Sequence, residues 1–413
     1  MNNNYLLNTL LENIRGEVEN HILPYWIKNV IDNKNGGFHG RIRNDNTVVH
    51  DSPRSIILNA RILWTFSAAY RVLREKRYLF VAERAYNYIM NHFWDDVNGG
   101  VYWMVDQNGQ PTDLKKHAYA QAFAVYGLSE YYRATSDVTA LTRGIEIYNL
   151  LKQNGNNHDG PGYHEAFSCE WEPLSDVRLS DKDDEQKRSM NTHLHLFEAY
   201  TNLYRVWPNE DLKTDIVALF NLFFGPMYNK NNGHFFAFFD EQWNPTTDIY
   251  SYGHDIEAVW LLFDSARVLG DDQLIEIARQ LIRQTAEVTL QEGIDPERGG
   301  IYQSGSNGTV VYSDKHWWVQ AEGIVGFVYA YSETGNEEYL QAAVKLWEFI
   351  DKYIIDSEYG EWYFRVNQNG EPYLEEDKVG AWKCPYHNVR AGLELVEKVR
   401  NRKKAVGEND GDM

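Results

Sequence analysis

A histidine and a carboxylate three residues apart, in Tyr252-Gly253-His254-Asp255-Ile256-Glu257, open a strongly apolar run. Residues i and i+3 lie on one helix face, so this imidazole and carboxylate can share a pocket. A carboxylate beside an imidazole holds its orientation and raises its basicity, and histidine titrates near neutrality. Taken alone, the pair is better read as a capping or core histidine with a satisfied partner. Five further clusters introduce or interrupt apolar runs in the same way. They are Arg54 after Ser52-Pro53; His117, Tyr119 and Gln121; Asn191, His193 and His195; Trp317, Trp318, Gln320 and Glu322; and Tyr386, His387, Asn388 and Arg390.

The clusters offer imidazoles that take and return protons, a guanidinium that can clamp two oxygens of an enediolate or carboxylate, a few carboxylates and large indoles. Trp318 and Trp382 suit stacking walls for sugar rings and suit core packing as well. His193 and His195, at i and i+2, project from different helix faces and cannot both reach one ion, which argues against a metal centre. Asn154-Gly155-Asn156-Asn157 lacks the Lys-Ser/Thr of a phosphate loop, and no nucleophile elbow is present. Carboxylate pairs drawn from Glu257, Glu322 and Asp183 keep glycoside hydrolysis open, at the cost of leaving the histidines unexplained.

These residues are positioned by a repeat. Glycine–aromatic loops end in glycines at 37, 100, 162, 233, 300 and 360, steps of 63, 62, 71, 67 and 60 residues. An amphipathic helix precedes each loop, with Leu274, Ile277, Leu281 and Ile282 forming one such stripe. A hairpin turn such as Asn307-Gly308 often follows the loop. The helices after the loops, such as Ala118–Leu128, Ile256–Phe263 and Val319–Tyr331, are apolar nearly all round and belong to an inner layer. The expected fold is all-α, an (α/α)6 barrel of six helix pairs with short β-hairpin loops at one end. An open solenoid would expose the inner faces, so the ring is expected to close. Its parallel inner helices then bring all six clusters to one end of the axis. Their free N–H groups and positive dipole ends favour an anionic ligand or intermediate there. Residues 1–400 are expected to form a single catalytic domain, and 401–413 a disordered tail.

Composition sets the bounds. With 40 basic and 60 acidic residues, a net charge of −20, the surface argues against nucleic acid and anionic membranes as partners. Two cysteines, Cys169 and Cys384, form no disulfide framework and fit a reducing cytoplasm. The first residues lack a basic segment followed by an apolar core, and the longest apolar run, Ala258–Phe263, is far too short to span a bilayer. A cytoplasmic monomer is expected.

Tyr252–Glu257, Lys315-His316-Trp317-Trp318-Val319-Gln320-Ala321-Glu322 and Trp382-Lys383-Cys384-Pro385-Tyr386-His387-Asn388, in this order on this repeat, resemble the N-acylglucosamine 2-epimerase superfamily. Within it the chain looks most similar to the cellobiose 2-epimerases, over essentially its whole length. The resemblance implies an isomerase that inverts C2 of a reducing sugar with no metal and no nicotinamide or other cofactor. Its small-molecule substrate would be a β-1,4-linked disaccharide, cellobiose going to glucosyl-mannose and lactose to epilactose. It also implies roles. His254 and His387 would be the acid/base pair, with Glu257 and Glu322 tuning His254. Arg54 would stabilise the enediolate, and His195 with Asn191 would sit near the reducing-end ring and assist its opening. Tyr119, Trp318 and Trp382 would contact the sugars, and Ser180 and Asp183 would bind hydroxyls. Relatives in the superfamily keep N-acylhexosamine epimerisation and aldose–ketose isomerisation open. A catalytically inert carbohydrate-binding toroid is the alternative from another class.

Overall fold

Ser251 shows how an inner helix begins. Its hydroxyl accepts the backbone N–H of His254, a cap worth about 1 kcal/mol, and the apolar run behind it coils as Tyr252–Leu269. Ser55 and Ser189 cap two other inner helices in the same way. The computed structural model describes residues 3–155, 161–179 and 187–406, with side chains as far as Lys398.

Among the described residues twelve helices alternate between two layers. The outer ones are Asn3–Glu17 (α1), Lys76–Tyr88 (α3), Val138–Gly155 (α5), Glu210–Phe224 (α7), Asp272–Val288 (α9) and Glu337–Phe349 (α11). The inner ones are Ile56–Leu73 (α2), Ala118–Thr135 (α4), Met190–Tyr204 (α6), Tyr252–Leu269 (α8), Trp317–Thr334 (α10) and Tyr386–Val406 (α12). Each inner helix packs on the next, and α12 packs back on α2, so the ring is closed. Small residues set the spacing: a Cβ on Gly326 of α10 would lie 2.3 Å from Ile256 Cγ1 and 3.1 Å from Ile256 O of α8. The last helix continues to Val406, past the tail boundary expected at residue 400, and 407–413 lie outside the described residues. No helix among the described residues is long and apolar enough to cross a membrane.

Two- and three-residue strands lead into the inner helices and pair antiparallel with a strand of the following loop. Arg54–Ser55 pairs with Met104–Val105, Lys116–His117 with Ala166–Phe167, Arg188–Ser189 with Phe238–Phe239, and Lys315–His316 with Arg365–Val366. The bridge Ile42–Val379 joins the first loop to the last. The loops thus form a second closed ring above the helical one.

A buried cation fastens most of these loops. In the second repeat Asp95 Oδ1 accepts the N–H groups of Val97 and Asn98, while Lys116 Nζ donates to Asp95 Oδ2 at 2.7 Å and to Gly99 O. Lys315 holds Asp295, Lys378 holds Asp356 and Gly360 O, and Arg54 holds Asp32 and Gly36 O in the same way. The fourth repeat substitutes His234, whose Nδ1 lies 2.7 Å from Asp255 Oδ2. Gly100 completes the turn at φ +76°, where a Cβ would meet Gln121 Oε1 at 2.8 Å.

The Lys116–Asp95 pair is at most 1% exposed on either side. Removing the cation strands a buried carboxylate, so Lys116→Met should cost about 3–5 kcal/mol in urea unfolding. A loss under about 1 kcal/mol, the size of a surface ion pair, would show that the loop clasps contribute little.

Candidate active site

The register of the inner helices separates structural from lumen-facing polar groups. The fourth residue of each of α4, α6, α8 and α10 reaches out to a loop. Gln121 and Gln320 exchange hydrogen bonds with the backbones of Val101 and Ile301. His193 Nε2 accepts from Tyr163 N–H, and Asp255 Oδ1 accepts from Phe235 N–H. His117 caps α4 by accepting Tyr119 N–H. These polar residues hold the loop ring and do not converge on a pocket. The sixth residues of α2, α4, α6, α8 and α10 do converge: Arg61, Phe123, His195, Glu257 and Glu322.

Arg390 of α12 gathers them. It donates through Nη1 to Glu198 and the Tyr386 hydroxyl, and through Nη2 to Glu257 and, at 2.7 Å, to Glu322. The guanidinium and its three carboxylates are all at most 4% exposed. Two of those carboxylates orient imidazoles. His387 Nδ1 lies 2.7 Å from Glu322 Oε1, and His195 Nδ1 lies 2.9 Å from Glu198 Oε2. With Nδ1 facing a carboxylate, Nε2 of each ring is the nitrogen left for chemistry. Trp260 Nε1–H donates to the other oxygen of Glu322 at 3.0 Å.

His254 is held differently. It is partly exposed, and its ring packs 4.7 Å from that of Trp318, which in turn lies 5.5 Å from the ring of His387. The two histidines therefore contact a common indole. Arg61 Nη2 donates to the Tyr119 hydroxyl at 2.7 Å, with its guanidinium 4.2 Å from the Phe123 ring and 4.9 Å from the Tyr386 ring. Tyr119 meets His195 edge-on at 5.0 Å and Trp382 at 5.9 Å. Asn191 opens α6 with its side-chain oxygen making no hydrogen bond to the described residues.

Burial organises the protonation states. It pushes His254 down to about 3, with His195 adding to the effect, and holds His387 well below its ordinary range, reinforced by Arg61 and Arg390. Burial and the neighbouring Glu322 push Glu257 up to about 7, against Arg390. Burial raises Glu198 too, but Arg390 and His195 outweigh it and bring this carboxylate down to about 2. Neutral imidazoles thus stand beside a cluster that keeps a proton near neutral pH.

Glu257, Glu322 and His387 each bring one donor atom within 4.8 Å of the others, a spacing that suits a cation. Arg390 already lies against both carboxylates, and its fixed charge does there what an ion would do.

Two expectations are corrected. Arg54 does not serve the pocket, because its guanidinium is committed to Asp32, Gly36 O and the Tyr88 hydroxyl, the equivalent of the lysine clasps in the other repeats. Arg61 is the guanidinium among the histidines. Glu257 and Glu322 serve His387 rather than His254, since Arg390 draws both onto the α12 side.

The family described as N-acylglucosamine 2-epimerase (GlcNAc 2-epimerase) matches residues 36–391. This chain belongs to that family. A cellobiose 2-epimerase of Bacteroides fragilis is 42% identical over 387 residues, 94% of this chain and 98% of the relative. One of Dictyoglomus turgidum is 37% identical over 95% of this chain and all of the relative. The solved structure of cellobiose 2-epimerase from Bacillus thermoamylovorans superposes with a TM-score of 0.90 at 41% identity, covering 95% of this chain and 100% of that one. The protein is a sugar 2-epimerase, an isomerase, on an (α/α)6 barrel.

In this epimerase Ser180 and Asp183 lie outside the described residues. Arg61 and Glu198 were not anticipated. The available signal was a charge in the interior of an inner-helix apolar run, where an unpaired ion is too costly to be incidental.

Removing Arg61 separates the two arginines. Arg61→Met should lower kcat about 100-fold or more while the fold survives, whereas Arg54→Met should lower the unfolding midpoint and leave kcat of the folded fraction near wild type. The reverse pattern would restore Arg54 to the site. His254, depressed in the folded state, excludes the proton that the unfolded chain binds. Its contribution is therefore complete above about pH 6.5 and is lost as pH falls toward about 3. Urea midpoints should fall less steeply between pH 6.5 and 4 in His254→Gln than in wild type; parallel curves would contradict this.

Proposed function

We propose that the protein inverts C2 of the reducing-end glucose of β-1,4-linked disaccharides, through an enediolate, using His254 and His387 as paired acid and base. The observation that carries this reading is the common indole of Trp318 against both imidazoles, with His387 locked by Glu322. The disaccharide assignment draws support from the relatives named cellobiose 2-epimerase.

The chemistry follows from the groups. His195, oriented by Glu198, takes the anomeric proton and returns one to the ring oxygen as the sugar opens to its aldehyde. The C2 proton is acidic only in that open form. One histidine removes it through Nε2, and Arg61 with the helix N-termini stabilises the enediolate oxygens. The other histidine delivers a proton to the opposite face. Trp318, Trp382, Tyr119 and Asn191 are the sugar contacts we assign. The domain that does this is a single barrel, acting without metal or other cofactor as a cytoplasmic monomer.

Glycoside hydrolysis fits less well. Glu257 and Glu322 both accept from the same guanidinium nitrogen, which leaves no space between them for a glycosidic bond and its water.

Proton NMR of cellobiose with the enzyme in D2O should show glucosyl-mannose carrying deuterium at C2. Free glucose would mean a hydrolase, and ketose alone an aldose–ketose isomerase. His254→Ala and His387→Ala should each cut kcat by about 100-fold or more; wild-type-like turnover in either folded variant would end the two-histidine mechanism.

A further inference from the structure

A large cavity lies away from the histidines. A space of about 630 Å³ opens at the other end of the barrel, lined by residues from all six inner helices. Its rim is charged yet internally paired: Arg71 binds Glu130 and Glu397, and Arg205 binds Asp264. Such a rim stays wet, and the volume holds many waters.

The inner wall of this cavity is built from the ninth residues of the inner helices, Trp64, Tyr126, Glu198, Trp260 and Glu394. The catalytic layer consists of the sixth residues. Three residues of helix separate the two, about 4.5 Å. Glu198 belongs to both, lining the cavity and holding His195 and Arg390. Trp260 also lines the cavity and donates to Glu322. On residues of these two layers and on Arg390, four buried polar atoms make no hydrogen bond to the described residues: Trp64 Nε1, Arg61 Nε, Arg390 Nε and Glu257 Oε2. Buried polar atoms without protein partners are ordinarily served by water.

We propose that the far mouth is a water and proton inlet to the carboxylate cluster, through which the His387 side regains its proton between turnovers. The inference rests on the two-histidine reading above. When His254 acts as base it ends a turnover holding the proton from C2, and His387 ends it having given one to the new epimer. Before the next turnover in that direction His254 must release a proton to solvent and the His387 side must gain one, so the exchange balances. At saturating substrate a new sugar occupies the catalytic mouth as soon as the product leaves, and it obstructs that route from above. From below, water delivers a proton to Glu257, which passes it within the cluster to His387. Glu257 is suited to the task because burial keeps its pKa near 7.

Two plugs on different helices test this, Ala68→Phe and Ser332→Trp, both lining the far cavity, about two and three helical turns along from Arg61 and Glu322. Reprotonation after product release affects kcat but not kcat/KM. We expect kcat at saturating cellobiose to fall about fivefold or more in each, with kcat/KM within about twofold of wild type. Unfolding midpoints report that the variants fold. An unchanged kcat in both folded plugs, or a parallel fall of kcat and kcat/KM, overturns the inlet. Failure of the wild-type enzyme to epimerise cellobiose in the same assay would instead sink the functional reading.

Discussion

The carboxylate cluster in the barrel lumen is arranged around Arg390. A guanidinium cannot shed its charge, so burying one in a low-dielectric core forces its surroundings to supply compensating anions. Here three carboxylates arrive from α6, α8 and α10, while the arginine comes from α12. Three negative charges on one positive would be excessive. The cluster relieves the excess by holding a proton on the Glu257 side, as its upward shift records. Such a network is poor evidence for stability, since hydrophobic residues of similar volume often do as well. What it supplies is definition, because Glu198 and Glu322, both held by the guanidinium, each fix an imidazole.

The same economy of position explains why polar residues cluster where the inner helices begin. Fourth residues turn outward to loops, sixth residues turn inward to the axis, and the two sets are chemically alike. Gln121 and His193 are as polar as His195, yet they satisfy backbone groups of the hairpins. The end of the barrel that carries these clusters must stabilise its rim before it can hold a substrate there. The loop ring with its buried lysines provides that rim, and the lumen residues are free of structural duty by comparison.

This division marks how far the sequence could be read. The repeat, the two helix layers and the closure were legible because apolar periodicity and glycine–aromatic turns are local signals. That His254, His387 and His195 face one lumen was legible through their positions in apolar runs. Arg54 was misread because an arginine just before an inner helix looks catalytic until the lysines at equivalent places in other repeats, Lys116 and Lys315, are seen to hold the same loop aspartates. Arg61 and Glu198 were passed over because helix-start clusters drew the attention, while rotation about the helix decides what faces the axis. The pairing of Glu322 with His387 could not be read at all. It depends on a third residue, Arg390, reaching across the lumen.

The ring closes through the two ends of the chain. The outer partner of α12 is α1, which packs against both α12 and α11. The unit that carries His387 and Arg390 is therefore composed of the two described helices that lie farthest apart in the sequence, Asn3–Glu17 and Tyr386–Val406. During synthesis α1 must wait, with an apolar face uncovered, until nearly the whole chain has emerged. The lumen cluster cannot be complete before α12 joins it, so a barrel interrupted before Tyr386 has its loops and most of its core but neither His387 nor Arg390.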